Sequence, residues 1–377
     1  MENLDKGAFN FVPYQILVIN PGSTSTKVAL FEDDSLRFEE TIVHPAELLK
    51  QFPHIWDQFE FRKSSIISFL AKHQIRLDQL SAVVGRGGLL RPIPGGTYLI
   101  DEPMIHDARQ GIQGEHASNL GCALAWSIAQ EAGTPAYTVD PVTVDELEPL
   151  ARYSGHPLIQ RRALAHTLNI HAVGRMAAKK LGVDYLQTNF IIAHLGGGIS
   201  ICPLKQGRII DVNDASSSGP FSPERTGGLP LQPFIELCFS GKYTKQQMSK
   251  LVMGQGGLIA YLGTNSAKEV EQRIHQGDAK AKEVYEAMAY QIAKEIGAMA
   301  TVVKGDVRAI VLTGGLAKSK MLTDWIKERV EFIAEVMILP GEFEMEAMAK
   351  GALRVLKGEE QAKNYVGNWL ETKNYPL

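Results

Sequence analysis

A chain of 377 residues with 45% hydrophobic and 21% charged residues has room for two ordinary domains and the composition of a soluble globular protein. Its net charge of −3 and pI near 6.4 argue against a nucleic-acid surface or a polybasic membrane patch, and no apolar run approaches the ~20 residues that span a bilayer. Cys122, Cys202 and Cys238 are an odd set at no metal-like spacing, and the opening MENLDKGAF lacks the apolar core of a signal peptide, so a reducing cytoplasm is the expected home.

The first informative stretch is QILVINPGSTSTKVALF, residues 15–31. An apolar run, Ile16 to Ile19, predicts a buried strand, Asn20-Pro21-Gly22 a turn, and Val28 to Phe31 a second strand. Alternation along an extended chain puts Ser23, Ser25 and Lys27 on one side. Two hydroxyls, an ammonium and turn amides make an anion cradle suited to phosphate. It is not a Walker A loop, because the second glycine and the Ser/Thr after the lysine are missing. The same residues also fit a plain Ser/Thr-rich hairpin with a lysine at its edge. A third strand follows from Arg37 to Val43, then mixed-polarity helix over 44–79 broken at Pro53. Leu80 to Val84 predicts a strand that runs into Gly85-Arg86-Gly87-Gly88, and Leu89 to Thr97 a Pro/Gly-rich loop. Helical periodicity spans His116 to Ala132, stopped by Gly133 and Pro135. A short strand, Ala136 to Val139, then carries Asp140-Pro141 at its end, and the Pro- and acid-rich segment to Gly155 reads as an inter-domain joint.

The second part repeats this plan. Asn189 to Leu195 is an apolar strand closed by Gly196-Gly197-Gly198, Ile199 to Leu204 returns, Lys205-Gln206-Gly207 turns, and Arg208 to Val212 goes back. Val307 to Thr313 ends in Gly314-Gly315, as Leu80 to Val84 ends in its own glycines. Ala279 to Val303 predicts a long helix, Glu328 to Glu335 a solvated helix face, and a last helix starts near Met345. The expected domains are 1–145 joined by a C-terminal helix 345–377, and 146–344. Among the histidines, apart from any motif, His166 reads first as an ordinary helix residue and His194 first as a core residue; His166 and His171 are spaced i, i+5, which is wrong for a zinc helix.

The stretches VINPGSTSTK (18–27), GRGGLLRPIPGG (85–96), GEHASNLG (114–121), RRALAHTLNIHAVGR (161–175), HLGGGIS (194–200), PERTGG (223–228), LTGG (312–315) and EMEAMAKGA (344–352), in this order, resemble the acetokinase family. That resemblance implies an α/β, duplicated two-domain acetate and sugar kinase/Hsc70/actin fold with a nucleotide cleft between the domains. It also implies reversible phosphoryl transfer from ATP to a short-chain carboxylate, butyrate or a branched acid, with acetate, propionate or an alcohol acceptor as alternatives. A non-catalytic protein of the Hsc70–actin kind would want an extra domain for which no residues are spare.

Carried over by motif, Asn20 and Glu344 would serve Mg²⁺, with Glu342 and Glu346 as near neighbours of the latter. Ser23, Ser25, Lys27, His194, Gly196, Gly197, Gly198, Gly314 and Gly315 would meet ATP or ADP. Arg86 would grip the carboxylate, Arg225 the moving phosphoryl and His166 an equatorial oxygen, while Asp140 is the acidic residue of the site. A carboxylate acceptor has no proton to lose, so Asp140 is expected to orient an arginine rather than act as a base. Gly88, His116, Ala165 and Pro223 would line the acid site; Gly88 and Ala165 replace a valine and a phenylalanine of acetate kinases, which implies room for a longer acyl chain. Gly197 stands where acetate kinases have asparagine, Pro21 and Thr24 replace alanine and serine, and TNSAKEVEQR after Gly263 lacks their nucleotide-contacting Asp-x-Arg. The expected partners are the two small substrates and a second copy of the chain, with neither nucleic acid nor membrane.

Overall fold

The computed structural model describes residues 12–365. The readings for residues 1–11, and for 366–377 at the end of the expected last helix, lie outside these. Two compact units emerge: the described residues up to Arg91 with Gly96–Val139 and those from Met345 on, and Pro92–Gly95 with Asp140–Glu344.

The first unit is built on β1 (Gln15–Pro21), β2 (Ser25–Glu32), β3 (Ser35–Val43), β4 (Ala82–Gly85), β5 (Thr97–Leu99) and β6 (Ala136–Val139), in the order β3-β2-β1-β4-β6-β5. The first three form an antiparallel meander, while β4 and β6 run parallel to β1. The helix Asn119–Ala132 packs on β1, β4 and β6 and stops at Gly133, whose φ of +67° favours a residue without a side chain. The first turn sits two residues later than the sequence suggests. Asn20 and Pro21 stay in β1, opposite Lys27 and Thr26, because a proline at a strand end forfeits no needed ladder bond. Gly22 N–H donates to Ser25 O at 2.8 Å and closes the turn. Ser25 and Lys27 therefore share a face of β2, and Ser23 belongs to the turn.

The second unit holds a small hairpin, β7 (Tyr153–His156) and β8 (Ile159–Gln160). Its main sheet is β9 (Asn189–Leu195), β10 (Ile199–Lys205), β11 (Arg208–Ile209), β12 (Ala309–Gly314) and β13 (Glu335–Pro340), ordered β11-β10-β9-β12-β13. β9 and β10 are antiparallel, and β12 is parallel to both β9 and β13. Third, second, first, fourth, last is also the order of the first sheet apart from β5, so the repeated plan is real duplication. Alternation assigns the faces of β9. Ile191, Ala193 and Leu195 pack with the helix Ala279–Val302, whereas Phe190 and Ile192 pack with Thr167–Leu181.

Three expectations change. The segment 141–155 is no joint: it lies within the second unit, where Ile93 bridges Val144 and Gly95 N–H donates to Glu146 Oε1 at 3.0 Å. β11 ends at Ile209, three residues early. Only the first three residues of the charge run are helical, since Lys320–Val330 stops before Glu331 and Glu335 opens β13. Among the described residues no helix is long and apolar enough to cross a membrane.

Candidate active site

In the first unit the residues singled out by sequence collect at the carboxyl ends of parallel strands, where open α/β sheets bind ligands. Ile19 pairs with Gly85, so Asn20 and Arg86 are the next residues on neighbouring strands. Arg86 N–H donates to Ile19 O at 2.9 Å, and Gly121 packs so closely on the Arg86 carbonyl that no side chain would fit there. The arginine thus has a fixed backbone and a half-buried side chain. Nearby, His116 Nδ1 accepts from Ser118 N–H at 3.2 Å, which leaves Nε2 to carry the proton of a neutral ring. Burial and the Arg86 guanidinium push its pKa below the usual histidine value. Lys27 Nζ lies 3.5 Å from Glu39 Oε1, a half-exposed pair worth at most about 1 kcal/mol and easily exchanged for a phosphate.

Gly88 is small for a different reason from the one the resemblance implies. A Cβ there would lie 2.5 Å from Asn119 Cα and 2.7 Å from Asn119 N, so its space is filled by the start of a helix rather than left for an acyl chain. Asn119 Oδ1 accepts from Leu89 N–H at 2.9 Å while its Nδ2 donates to Gly114 O at 3.0 Å, tying the arginine loop to the His116 loop. Gly88→Val should therefore cost roughly 1–3 kcal/mol or more through overpacking, read as a lower urea midpoint. A variant as stable as the parent would show that Asn119 can yield.

Beneath the turn, Thr26 faces the interior. Its hydroxyl lies 2.8 Å from His44 Nε2 and accepts from Arg62 Nη1 at 3.0 Å. His44 is 2% exposed, and burial together with the Arg62 charge pulls its pKa from 6.5 to about 4. An unfolded chain binds a proton at His44 near pH 6.5 and the folded chain only near 4, so acidification through that interval favours unfolding. About 3 kcal/mol of stability should be lost across it, and His44→Gln should flatten that part of the pH–stability curve. An unchanged slope in the variant would put the acid sensitivity elsewhere.

In the second unit the helix Thr167–Leu181 and β9 bring two histidines together. His166 is the residue before the helix and His194 the sixth of β9, and their rings stack with centroids 3.9 Å apart and planes within 10°. Ser200, the β10 partner of His194, places its hydroxyl 3.0 Å from His166 Nδ1. Asn169 fixes the second ring. Its Oδ1 accepts from Phe343 N–H at 3.0 Å, so its Nδ2 must be the group 2.9 Å from His194 Nδ1. His194 therefore holds its proton on Nε2, and burial, then the neighbouring His166, keep its pKa well below the usual value.

Arg225 lies against the glycine turn after β9. A Cβ on Gly198 would fall 2.5 Å from Arg225 Nη1 and 2.8 Å from Cζ, so the guanidinium occupies the place of a side chain there. Nη1 donates to Ala215 O at 2.9 Å, and the Arg225 N–H to Ser222 Oγ at 3.2 Å. Ser222 Oγ in turn donates to Gly197 O at 2.5 Å, pinning the loop that holds Pro223 and Arg225 to the glycine turn. A Cβ on Gly197 would meet only the Glu224 carboxyl, at 3.9 Å. Glu224 itself accepts from Asn265 Nδ2 at 2.8 Å, in the segment that lacks Asp-x-Arg.

Gly314 ends β12 with φ of +87° and packs on the Leu195 carbonyl, so the glycine pair after β12 abuts the end of β9. A Cβ on Gly315 would meet nothing within 4 Å, which leaves its face open to a ligand. Glu344 begins the last helix, three residues past Gly341, which exchanges backbone bonds with Gly314. Its neighbour Glu346 pairs with Lys350 one turn further along the same helix. Asp140, the residue after β6, is buried with φ of +39°, an uncommon value outside glycine and a mark of a constrained site. Its carbonyl accepts from Thr167 Oγ1 at 3.0 Å, and its Oδ1 lies 3.9 Å from His171 Nε2. Ala165, 6% exposed, packs in the apolar cluster with Leu147, Ile170 and Val173. Sequence reading had missed Arg62, His44, Asn169, Ser200 and Ser222.

Comparison with known proteins gives the family. Residues 149–339 match the acetokinase family. A protein of Listeria monocytogenes serotype 4a named "Probable butyrate kinase" is 50% identical over 353 residues, 93% of this chain and 99% of its own. Its counterpart in serotype 4b is 51% identical over the same shares. The crystal structure of Porphyromonas gingivalis acetate kinase superposes with a TM-score of 0.73 at 19% identity, over 91% of this chain and all of that one. A propionate kinase from Francisella tularensis superposes with 0.69 at 20% identity, over 90% and 98%. Identity of about one half along nearly the whole length, together with the family match, decides the matter: the chain belongs to the acetokinase family.

Proposed function

We propose that this kinase transfers the γ-phosphoryl group of ATP to a short-chain fatty carboxylate, with four-carbon acids preferred, giving an acyl phosphate and ADP reversibly. The observation that carries the reading is the pair of arginines, Arg86 and Arg225, each with its backbone pinned beside a glycine turn in its own unit. The four-carbon preference rests on the relatives named "Probable butyrate kinase" rather than on Gly88 or Ala165.

A carboxylate oxygen attacks the γ-phosphorus in line while the bond to the β,γ-bridging oxygen breaks, and that oxygen leaves with ADP. No proton needs to be removed. The protein's task is then positioning and charge stabilisation of a loose transition state. Arg86 holds the acid, Arg225 and His166 the equatorial oxygens, and Asp140 orients an arginine. Ser23, Ser25 and Lys27 face the phosphates, and His194 with the glycines at 196–198 and 314–315 takes up the nucleotide. Mg²⁺, when bound, neutralises phosphate charge; the amide oxygen of Asn20 and the carboxylate of Glu344 are hard donors that would hold it, with water and phosphate completing the shell. Such a metal needs no all-protein cage, because it keeps several waters and binds substrate phosphates.

The proposal extends to a cytoplasmic, homo-oligomeric protein. Free thiols at Cys122, Cys202 and Cys238 suit a reducing compartment. The helix Leu231–Phe239 buries none of its residues and leaves Leu231 73% and Phe239 86% exposed, which favours coverage by a second copy. The deciding experiment incubates the protein with ATP, Mg²⁺, hydroxylamine and acetate, propionate, butyrate, isobutyrate or 1-butanol in turn. Butyrate or isobutyrate should give the most hydroxamate. ADP release with the alcohol and no hydroxamate with any acid would sink the reading.

A further inference from the structure

Arg62, in the helix Phe59–Lys72, is fully buried at 0% exposure directly beneath the turn between β1 and β2. All five guanidinium N–H groups are used. Nε and Nη2 donate to Gln58 Oε1 at 3.0 and 2.9 Å, Nη1 to Ser25 O and Thr26 Oγ1 at 2.9 and 3.0 Å, and Nη2 to Ser23 O at 3.2 Å. Every acceptor is a neutral oxygen. A buried arginine ordinarily has a carboxylate, because removing its charge from water is costly. Burial lowers its pKa to about 10, so it remains charged at neutral pH. The carbonyl of Thr24, between the two that Arg62 holds, accepts from His44 N–H at 2.8 Å. Three successive turn carbonyls are thus drawn inward, while Ser23 and Thr24 are exposed on the outer side. Nothing about the hairpin alone requires an unneutralised cation at this depth; an anion on the turn would supply the missing countercharge.

We infer that Arg62 is a positioning residue for the phosphate: it holds the turn of Ser23 to Ser25 with its carbonyls inward and sets a fixed positive charge behind it. This rests on the proposed phosphoryl transfer, in which that turn meets phosphate. Substrate keeps its contact with the turn hydroxyls and Lys27, and Arg62 acts through them.

The test compares Arg62→Met and Arg62→Lys with the parent by steady-state kinetics, thermal melting and calorimetric titration with ATP. Arg62→Met should lower kcat at least thirtyfold and weaken ATP binding at least tenfold, with KM for the carboxylate within about threefold. Guanidinium chloride at millimolar concentration should restore activity at least tenfold, and Arg62→Lys should lie between. A folded Arg62→Met with parental kcat and ATP affinity overturns the inference, as does an equal rise in both KM values. Should Arg62→Met fail to fold, Gln58→Met decides: it leaves the charge but strands two of the donors, and should lower kcat about tenfold at unchanged carboxylate KM. Parental kinetics in folded Gln58→Met would also overturn it. If the parent makes no acyl phosphate from any acid, the functional reading fails, and the ATP titration still judges Arg62.

Discussion

Arg225→Ala should lower kcat by about 10³-fold or more, the scale of an arginine that meets charge developing on a transferring phosphoryl group. The side chain is prepared for that role: it donates to the neutral carbonyl of Ala215 rather than to a carboxylate, and its position is set by the bare backbone of Gly198. Removing it leaves the apolar clusters of the second unit untouched, so melting temperature should change little. Arg225→Lys keeps the charge but loses the planar pair of donors, and should recover only a small part of the rate. Gly198→Ala offers a subtler probe, because a Cβ 2.5 Å from Nη1 must push the guanidinium aside. A displacement of about 1 Å can cost on the order of a hundredfold, so kcat should fall by roughly ten- to a hundredfold. Parental kcat in Arg225→Ala would remove this residue from the transition state.

Arg86→Ala should act on the acid rather than on the rate. A buried charge-assisted pair contributes about 2–5 kcal/mol to binding, so KM for the carboxylate should rise on the order of 10²-fold or more. The Arg86 backbone is held by Ile19 O and by the close approach of Gly121, both of which survive truncation of the side chain. The discriminating readout is the split between constants. A large loss of kcat with unchanged KM for the acid would reassign Arg86 to the phosphoryl group.

Much of the scaffold was legible because its signals are local. Ala136–Val139 and Asn189–Leu195 are apolar runs bounded by turn chemistry, and both strands fall where those boundaries put them. The glycine-flanked motifs marked strand ends, which is where Arg86, His194 and Gly314 sit. Other local signals were passed over: Asp101 caps the helix Glu102–Gln110, with a proline in its first turn and Gly111 after its end. What could not be read is tertiary. Arg62 finds its carbonyl and hydroxyl acceptors 36 to 39 residues away, and Asn169 reaches Phe343 across 174. Nothing in FEFRKSS distinguishes Arg62 from Lys63 beside it. A small residue is ambiguous for the same reason: composition shows that a side chain is small and not what fills the gap, which at Gly88 is Asn119.

The discontinuous first unit has a consequence for synthesis. Residues from Met345 on belong to it: Tyr14 donates its hydroxyl proton to Leu356 O, Thr97 N–H reaches Glu360, and Tyr365 caps Asp107 and the Arg91 amide. A ribosome delivers these last. The second unit, nearly continuous from Asp140 to Glu344, can therefore close while the N-terminal sheet still waits for its final helix. Until then the turn of Ser23 to Ser25 is attached to an unfinished body, and a nascent chain stalled before Met345 would hold a closed second unit and an incomplete first one.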